Sequence, residues 1–184
     1  SAKIKTINHV TEGQAITCEL GLEHVADDSP LLIAACDNGM LWNHGKYQDL
    51  ISNKNIDAII WTFKGHPSSR ENPQMYGWVN TNEDSALIKA TGVSVKQAIS
   101  DTPERDHAIV GTFYFRQSAL FKQALKQLVS DDTRVNGEFY VDSLMGVLIK
   151  MDYKVAVFEV DSYIGWGTPN DYETFKYWQS YFHK

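Results

Sequence analysis

Leu31-Leu32-Ile33-Ala34-Ala35 is an unbroken apolar run, followed at once by Cys36-Asp37-Asn38-Gly39. Continuous apolar residues predict a strand covered on both faces, as in a parallel sheet, because a half-solvated strand would alternate with polar residues. Upstream, between Gly13 and Val25, the residues Ala15, Ile16, Cys18, Leu20, Leu22 and Val25 fall on one broad side of a helix. Downstream, the polar turn Asn53-Lys54-Asn55 precedes a second strand over Ile56 to Phe63. This alternation of helix and apolar strand predicts an α/β fold.

The pattern continues outward in both directions. Ile4-Lys5-Thr6-Ile7 alternates like a short strand, and Lys64 to Pro73 holds almost nothing apolar, which predicts a mobile loop. Strands are expected near Met75–Val79, Ala86–Lys89 and Val93–Lys96, separated by the turn sequences Asn82-Glu83-Asp84 and Thr91-Gly92, and a longer one over His107–Phe115. Leu120, Phe121, Ala124, Leu125 and Leu128 form one helical stripe between Ser118 and Val129. A further helix is expected over Tyr140–Lys150 and a strand over Lys154–Val160. Thr168-Pro169-Asn170-Asp171 is a helix start, with Thr as cap, Pro at the first position and Asp able to reach back, so a last helix runs from about Pro169 to Tyr181.

Composition narrows the function. The 184 residues suffice for one packed domain, and 43% hydrophobic with 22% charged residues is ordinary for a globular chain. A formal net charge of −6 argues against an extended nucleic-acid surface, which needs clustered Lys and Arg. Cys18 and Cys36 show neither metal-ligand spacing nor a disulfide framework, and no apolar run has the length of a membrane span. A cytoplasmic protein, without nucleic-acid or membrane partners, is therefore expected. The six histidines show no ligand spacing, and no Gly-x-Ser-x-Gly elbow supports hydrolase chemistry.

Asp37 follows its strand directly, where open α/β sheets bind ligands. The same Asp37-Asn38-Gly39 is also a strong tight-turn sequence that needs no ligand. Glu138 and Asp142 precede or open the 140–150 helix, where acidic charge suits the helix N-terminus.

Several short motifs, in one order, carry a family resemblance: Thr11-Glu12-Gly13-Gln14-Ala15, Ala35-Cys36-Asp37-Asn38-Gly39, Tyr76-Gly77-Trp78, Gly111-Thr112-Phe113-Tyr114-Phe115, Val135-Asn136-Gly137-Glu138-Phe139-Tyr140-Val141-Asp142 and Gly165-Trp166-Gly167-Thr168-Pro169-Asn170-Asp171. Together they resemble the sugar nucleotidyltransferases, which join a nucleoside triphosphate to a sugar 1-phosphate and release pyrophosphate. The resemblance implies a three-layer α/β/α, Rossmann-like domain over 1–184 with a mixed, mostly parallel sheet. That family opens with a strand and a Gly-x-Gly-(Thr/Ser)-Arg loop that wraps the triphosphate. The chain shows no such loop, so it is expected to lack the first strand and phosphate loop of the fold and to be inactive by itself.

The resemblance also assigns roles. Asp37 would hold Mg²⁺ and, with Lys96, serve the reaction; Lys96 would pair with the sugar phosphate. Gly13 and Gln14 would face the nucleobase, for which an amide both donates and accepts. Gly77 would let its backbone approach the sugar, and Glu138 would accept from sugar hydroxyls, with Asp142 left a structural part. The family's second metal carboxylate falls here on Gly165, so Asp161, at the end of the preceding strand, is the replacement candidate. Partners would be a nucleoside triphosphate and a sugar 1-phosphate, in a pathway to surface polysaccharide, and a homo-oligomer is compatible with the sequence. Two rivals stand beside this reading. One is a glycosyltransferase of related fold, whose usual Asp-x-Asp lacks its second Asp in Asp37-Asn38-Gly39; the other is a noncatalytic nucleotide-sugar sensor, consistent with Gly165.

Overall fold

The computed structural model describes residues 3–82 and 87–183. Helix α1 (Gln14–Leu20) leads to β1 (Leu31–Ile33), β2 (Asn38–Leu41), α2 (His44–Ser52) and β3 (Ala58–Phe63). Then come α3 (Pro67–Glu71), β4 (Gly77–Asn82), β5 (Lys89–Val95), β6 (His107–Phe115), α4 (Ser118–Ser130), α5 (Val141–Lys150), β7 (Val155–Glu159), β8 (Ser162–Gly165) and α6 (Pro169–Phe182).

Side chains on a strand point alternately to opposite faces, and here both faces are covered. On β3, Ala58 and Ile60 enter one core while Ile59, Trp61 and Phe63 enter the other. On β7, Val155 and Val157 go one way, and Ala156 and Phe158 the other. The first core is roofed by α4, with Leu120, Phe121, Ala124, Leu125 and Leu128 buried, and by α5, with Val141, Leu144, Met145 and Leu148 buried. Each such Leu removed from water contributes roughly 1.5–3 kcal/mol. The second core is aromatic: Trp61 has ring centroids 4.8 Å from Tyr47 of α2 and 4.8 Å from Phe158 of β7, and 5.0 Å from Trp42.

The sheet runs β1-β6-β3-β7-β5-β4, and β4 also pairs with β6, so five strands close into a ring. Among the described residues only β3–β7 is parallel; β1–β6, β3–β6, β4–β5, β4–β6 and β5–β7 are antiparallel. The expectation of a mostly parallel sheet is thus corrected to a mixed, largely antiparallel one. The misleading signal was the apolar run at 31–35. Its strand β1 has three residues, pairs only with β6 among the described residues, and leaves Leu32 52% exposed. Apolar continuity reports hydrophobic neighbours, not strand direction.

Other local expectations are also revised. Residues 4–7 form no strand and are exposed, and α1 ends at Leu20 in a turn instead of reaching Val25. The polar segment 64–73 is not a featureless loop: His66 caps α3 and Pro67 occupies its first turn. Glu83 and Asp84 of the turn expected after Asn82, and Ala86 at the start of an expected strand, lie outside the described residues, while Asn82 ends β4. The expected bounds of β6 match, and α4, α5, β7 and α6 fall within a residue or so of expectation. No helix among the described residues is long and apolar enough to cross a membrane.

Two irregularities shape one end of the sheet. Along β6 the register against β3 passes from Phe113↔Ile60 to Ile109↔Thr62, so extra residues bulge out at Val110-Gly111-Thr112. Gly111, with φ of +91°, aims its carbonyl at the Ala35 amide, 3.0 Å away. The second is the ribbon β2–β8, in which Asn38 pairs with Gly165 and Leu41 with Ser162.

Candidate active site

The bulge and the ribbon frame a cleft of about 270 Å³ into which Gln14, Asp37, Asn38, Gly77, Lys96, Tyr140, Asp142, Tyr163 and Asp171 all reach. Asp37 and Asn38 arrive because β2 begins there as a strand, not as the tight turn their sequence also permits. The Asp37 carbonyl accepts from the Trp166 amide at 2.8 Å. A Cβ at Gly167 would stand 3.0 Å from Asp37 Oδ2, so a glycine lets the carboxylate lie against the chain. Asn38 donates from Nδ2 to the Val110 carbonyl at 2.8 Å, and its buried Oδ1 has no protein partner.

Asp171 enters the same cleft from the first turn of α6. Thr168 Oγ1 accepts from the Asp171 amide at 3.1 Å and donates to Asp171 Oδ2 at 2.7 Å, which leaves Oδ1 for other contacts. Tyr163 and Tyr76 stand beside both Asp37 and Asp171. Burial, each other's proximity and the two carboxylates drive the Tyr163 phenol far up from its ordinary value, and burial is the main cause of the rise at Tyr76. Both phenols therefore keep their protons. Tyr76 is held by Ser68 Oγ at 2.6 Å, which is in turn 2.6 Å from His66 Nδ1, while Tyr163 stacks on Phe63 with centroids 4.0 Å apart.

On the facing wall, Lys96 has φ of 60°, a strained conformation for a residue with a side chain. Its Nζ donates to the Met75 carbonyl at 2.6 Å and lies 5.6 Å from the Tyr140 ring centre. Asp142, in the first turn of α5, packs its carboxyl against Gly77 so closely that any Cβ at 77 would overlap Oδ2. Crowding by protein atoms pushes the Asp142 carboxyl up to about 6, partly offset by its own backbone amide and by Lys96.

The sequence-derived candidates divide. Gln14, Asp37, Gly77 and Lys96 meet in the cleft. Gly13 stands behind it: at φ of +121°, its missing Cβ would lie 2.6 Å from the Phe139 amide nitrogen, so glycine here lets two loops touch. Those loops are tied by Phe139 N–H to the Glu12 carbonyl, Ala15 N–H to the Phe139 carbonyl, both at 2.9 Å, and an Arg134–Glu12 ion pair. Glu138 is exposed on that turn and interacts with Tyr140 instead of lining the cleft. Asp161 does not join Asp37. It sits at the far end of the β2–β8 ribbon, its amide on the Leu41 carbonyl at 2.8 Å, roughly 15 Å along the strand at ~3.4 Å per residue. It faces a different groove with Lys46 and Asp49.

Asp171, Tyr76 and Tyr140 are cleft residues that sequence reasoning did not assign; Asp142, expected to be structural, joins them there, as does Tyr163. Asp142 and Asp171 were legible only as helix-start acids, a role they also play. A Cβ at Gly165 would meet the Tyr163 ring at 3.4 Å, an ordinary contact, so space alone does not require glycine there.

No group of three or more His, Cys, Asp or Glu among the described residues could cage a metal. A small hard divalent cation needs less, because it uses one or two carboxylates and fills its shell with water and substrate phosphates. The Asp37 carboxylate, the free oxygen of Asp171 and the unpartnered Asn38 Oδ1 are all oxygen donors of that kind, so the residues fit Mg²⁺.

Neither a family model nor a curated protein matches the sequence. The fold matches solved structures. A nucleoside-diphosphate-sugar pyrophosphorylase from Vibrio cholerae superposes with a TM-score of 0.70 at 20% identity, over 92% of this chain and 66% of that one. A UDP-glucose pyrophosphorylase complexed with UDP-glucose gives 0.69 at 11% identity, over 94% and 64%. The inositol-1-phosphate CTP transferase from T. maritima gives 0.60 at 11%, over 87% and 58%. The chain thus has the fold of these nucleotidyltransferases and spans under two thirds of the length of each.

Proposed function

We propose that the chain carries the substrate cleft of a sugar nucleotidyltransferase, which transfers a nucleotidyl group from a nucleoside triphosphate to a sugar 1-phosphate and releases pyrophosphate. The observation that carries this reading is the meeting of Gln14, Asp37, Gly77 and Lys96, distant in sequence, in one cleft of a fold shared with such enzymes. In the reaction an oxygen of the sugar phosphate attacks the α-phosphorus and pyrophosphate leaves from the opposite side. Gln14 presents an amide to the base, and Gly77 offers bare backbone to the sugar.

Charge makes the main demand. Three carboxylates line the cleft, Asp37, Asp142 and Asp171, against the single lysine Lys96. Two polyanionic reactants need more positive charge than one ammonium supplies. Asp37 and Asp171, with Asn38 Oδ1, would hold Mg²⁺, which when bound neutralises and aligns the phosphates. Lys96 meets the sugar phosphate once its Nζ exchanges the Met75 carbonyl for a charged oxygen. A role in precursor supply for surface polysaccharide and a cytoplasmic setting accord with this chemistry.

Thermal shift and calorimetry with UDP-glucose and with hexose 1-phosphates, each with and without Mg²⁺, test the reading. Stabilisation that grows with Mg²⁺, and loses only that increment in Asp37→Asn, is expected. Indifference to every nucleotide sugar and sugar phosphate would overturn it. The replacement of an expected carboxylate by Gly165 favours one second reading, a noncatalytic nucleotide-sugar binder, and pyrophosphate release during turnover rules that out.

A further inference from the structure

Asp142 is a cleft carboxyl that the reaction just described does not use. Its setting is unfavourable for a purely structural acid. It is crowded by protein, abuts the Gly77 backbone with no room for a side chain there, and faces the cleft beside Lys96 and Tyr140. A helix-start acid with no further task would sit in solvent, as Glu138 does one turn earlier. Holding a carboxylate half-buried and crowded beside a cleft disfavours the folded state unless a ligand repays it.

The ligand group can be read from its neighbours. A phosphate is excluded by charge at Asp142 itself and belongs at Lys96. A ligand ammonium would be forced against that same lysine. What remains is a neutral donor, and a carboxylate can accept from two adjacent hydroxyls at once. We propose that Asp142 is the specificity residue that reads the ring hydroxyls of the sugar phosphate, its carboxylate accepting from them while Lys96 holds the phosphate and the bare Gly77 leaves room for the carboxyl itself.

This rests on the sugar-phosphate reading above and makes it narrower. Removing one charge-assisted acceptor weakens a bound hydroxylated ligand by roughly 10- to 100-fold. The titratable groups facing Asp142 are Lys96, from the end of β5, and Tyr140, from its own loop, which is itself paired with Glu138. Asp142→Asn keeps the shape and removes the charge, so the Lys96 subsite persists.

The test is calorimetry of the whole chain and its Asp142→Asn variant with glucose, galactose and mannose 1-phosphates, the deoxy analogue of whichever binds best, and inorganic phosphate. The variant is expected to lose 10-fold or more for that hexose phosphate, to stop distinguishing it from its deoxy analogue, and to bind inorganic phosphate at least as well as the parent. Its Tm at pH 7.5 is expected to rise, whereas loss of a purely structural acid would lower it. Retained affinity within twofold, or a lowered Tm, overturns the assignment while leaving the parent reading intact. If the parent chain binds no hexose phosphate, the sugar-phosphate reading fails first and this one with it. Asp142→Ala, which leaves no acceptor, should lose at least as much affinity as Asp142→Asn; a smaller loss also overturns it.

Discussion

The two sides of α5 behave in opposite ways. One side sends Val141, Leu144, Met145 and Leu148 into the aliphatic core, where every surface is apolar and fully covered. On the other, Asp142 alone of α5 reaches the cleft, where its carboxyl is crowded and its surroundings include the strained backbone of Lys96 and the unpartnered Oδ1 of Asn38. The first side is optimised for folding. The second retains costs that a packed core does not, and the proposed binding role would account for them.

That contrast can be attacked at four strengths. Leu144→Ala should cost roughly 3–4 kcal/mol in urea unfolding, because Leu144 is fully buried; the molecules still folded should bind ligand as before. A large loss of affinity there would erase the distinction. Next comes pH. The folded Asp142 carboxyl titrates near 6, above its ordinary 3.8, so the native state holds this proton more tightly than the unfolded chain does. The stability it contributes is complete below about pH 4 and is lost as pH rises through 6. The loss amounts to up to about 3 kcal/mol. Comparing unfolding curves of the parent and Asp142→Asn from pH 4 to 8 should show that difference appear above pH 5; parallel profiles would place Asp142 with the core.

Gly13→Ala tests the seam between the two regions. Its added methyl meets the Phe139 backbone at a positive φ, so a loss of roughly 2 kcal/mol is expected, together with weaker nucleotide binding as Gln14 moves. Stability lost without any change in affinity would assign the glycine to packing alone. The smallest effect belongs to Thr168→Ala, which removes the α6 cap for about 1 kcal/mol. No residue of α6 is buried among those described, so hydrogen exchange should quicken in its first turn and leave α4 and α5 unchanged.

Much of this was readable along the chain. The stripe Leu120, Phe121, Ala124, Leu125, Leu128 set α4, and Thr168-Pro169-Asn170-Asp171 set the start of α6, because helical period and capping are local. The cleft was half readable. Asp37, Gly77 and Gln14 sit in recognisable short motifs and Lys96 near a loosely similar one, whereas Asp142 and Asp171, though inside such motifs, looked like ordinary helix-start acids, and Glu138, the acid expected at the sugar, is exposed outside the cleft. The 31–35 run misled about strand direction, since parallel and antiparallel neighbours bury the same residues.

The amino-acid order by itself determined where α4, α5, α6 and the long strands β6 and β7 form and where α6 is capped. Only the folded chain decided that Asn38 pairs with Gly165, that Gly77 touches Asp142, and that Asp161 stands a ribbon's length from Asp37. Periodicity and capping are written within a few residues by backbone geometry. The convergence of side chains across a cleft depends on pairings between segments some 65 to 127 positions apart, and such contacts leave no repeating mark in the sequence around either partner.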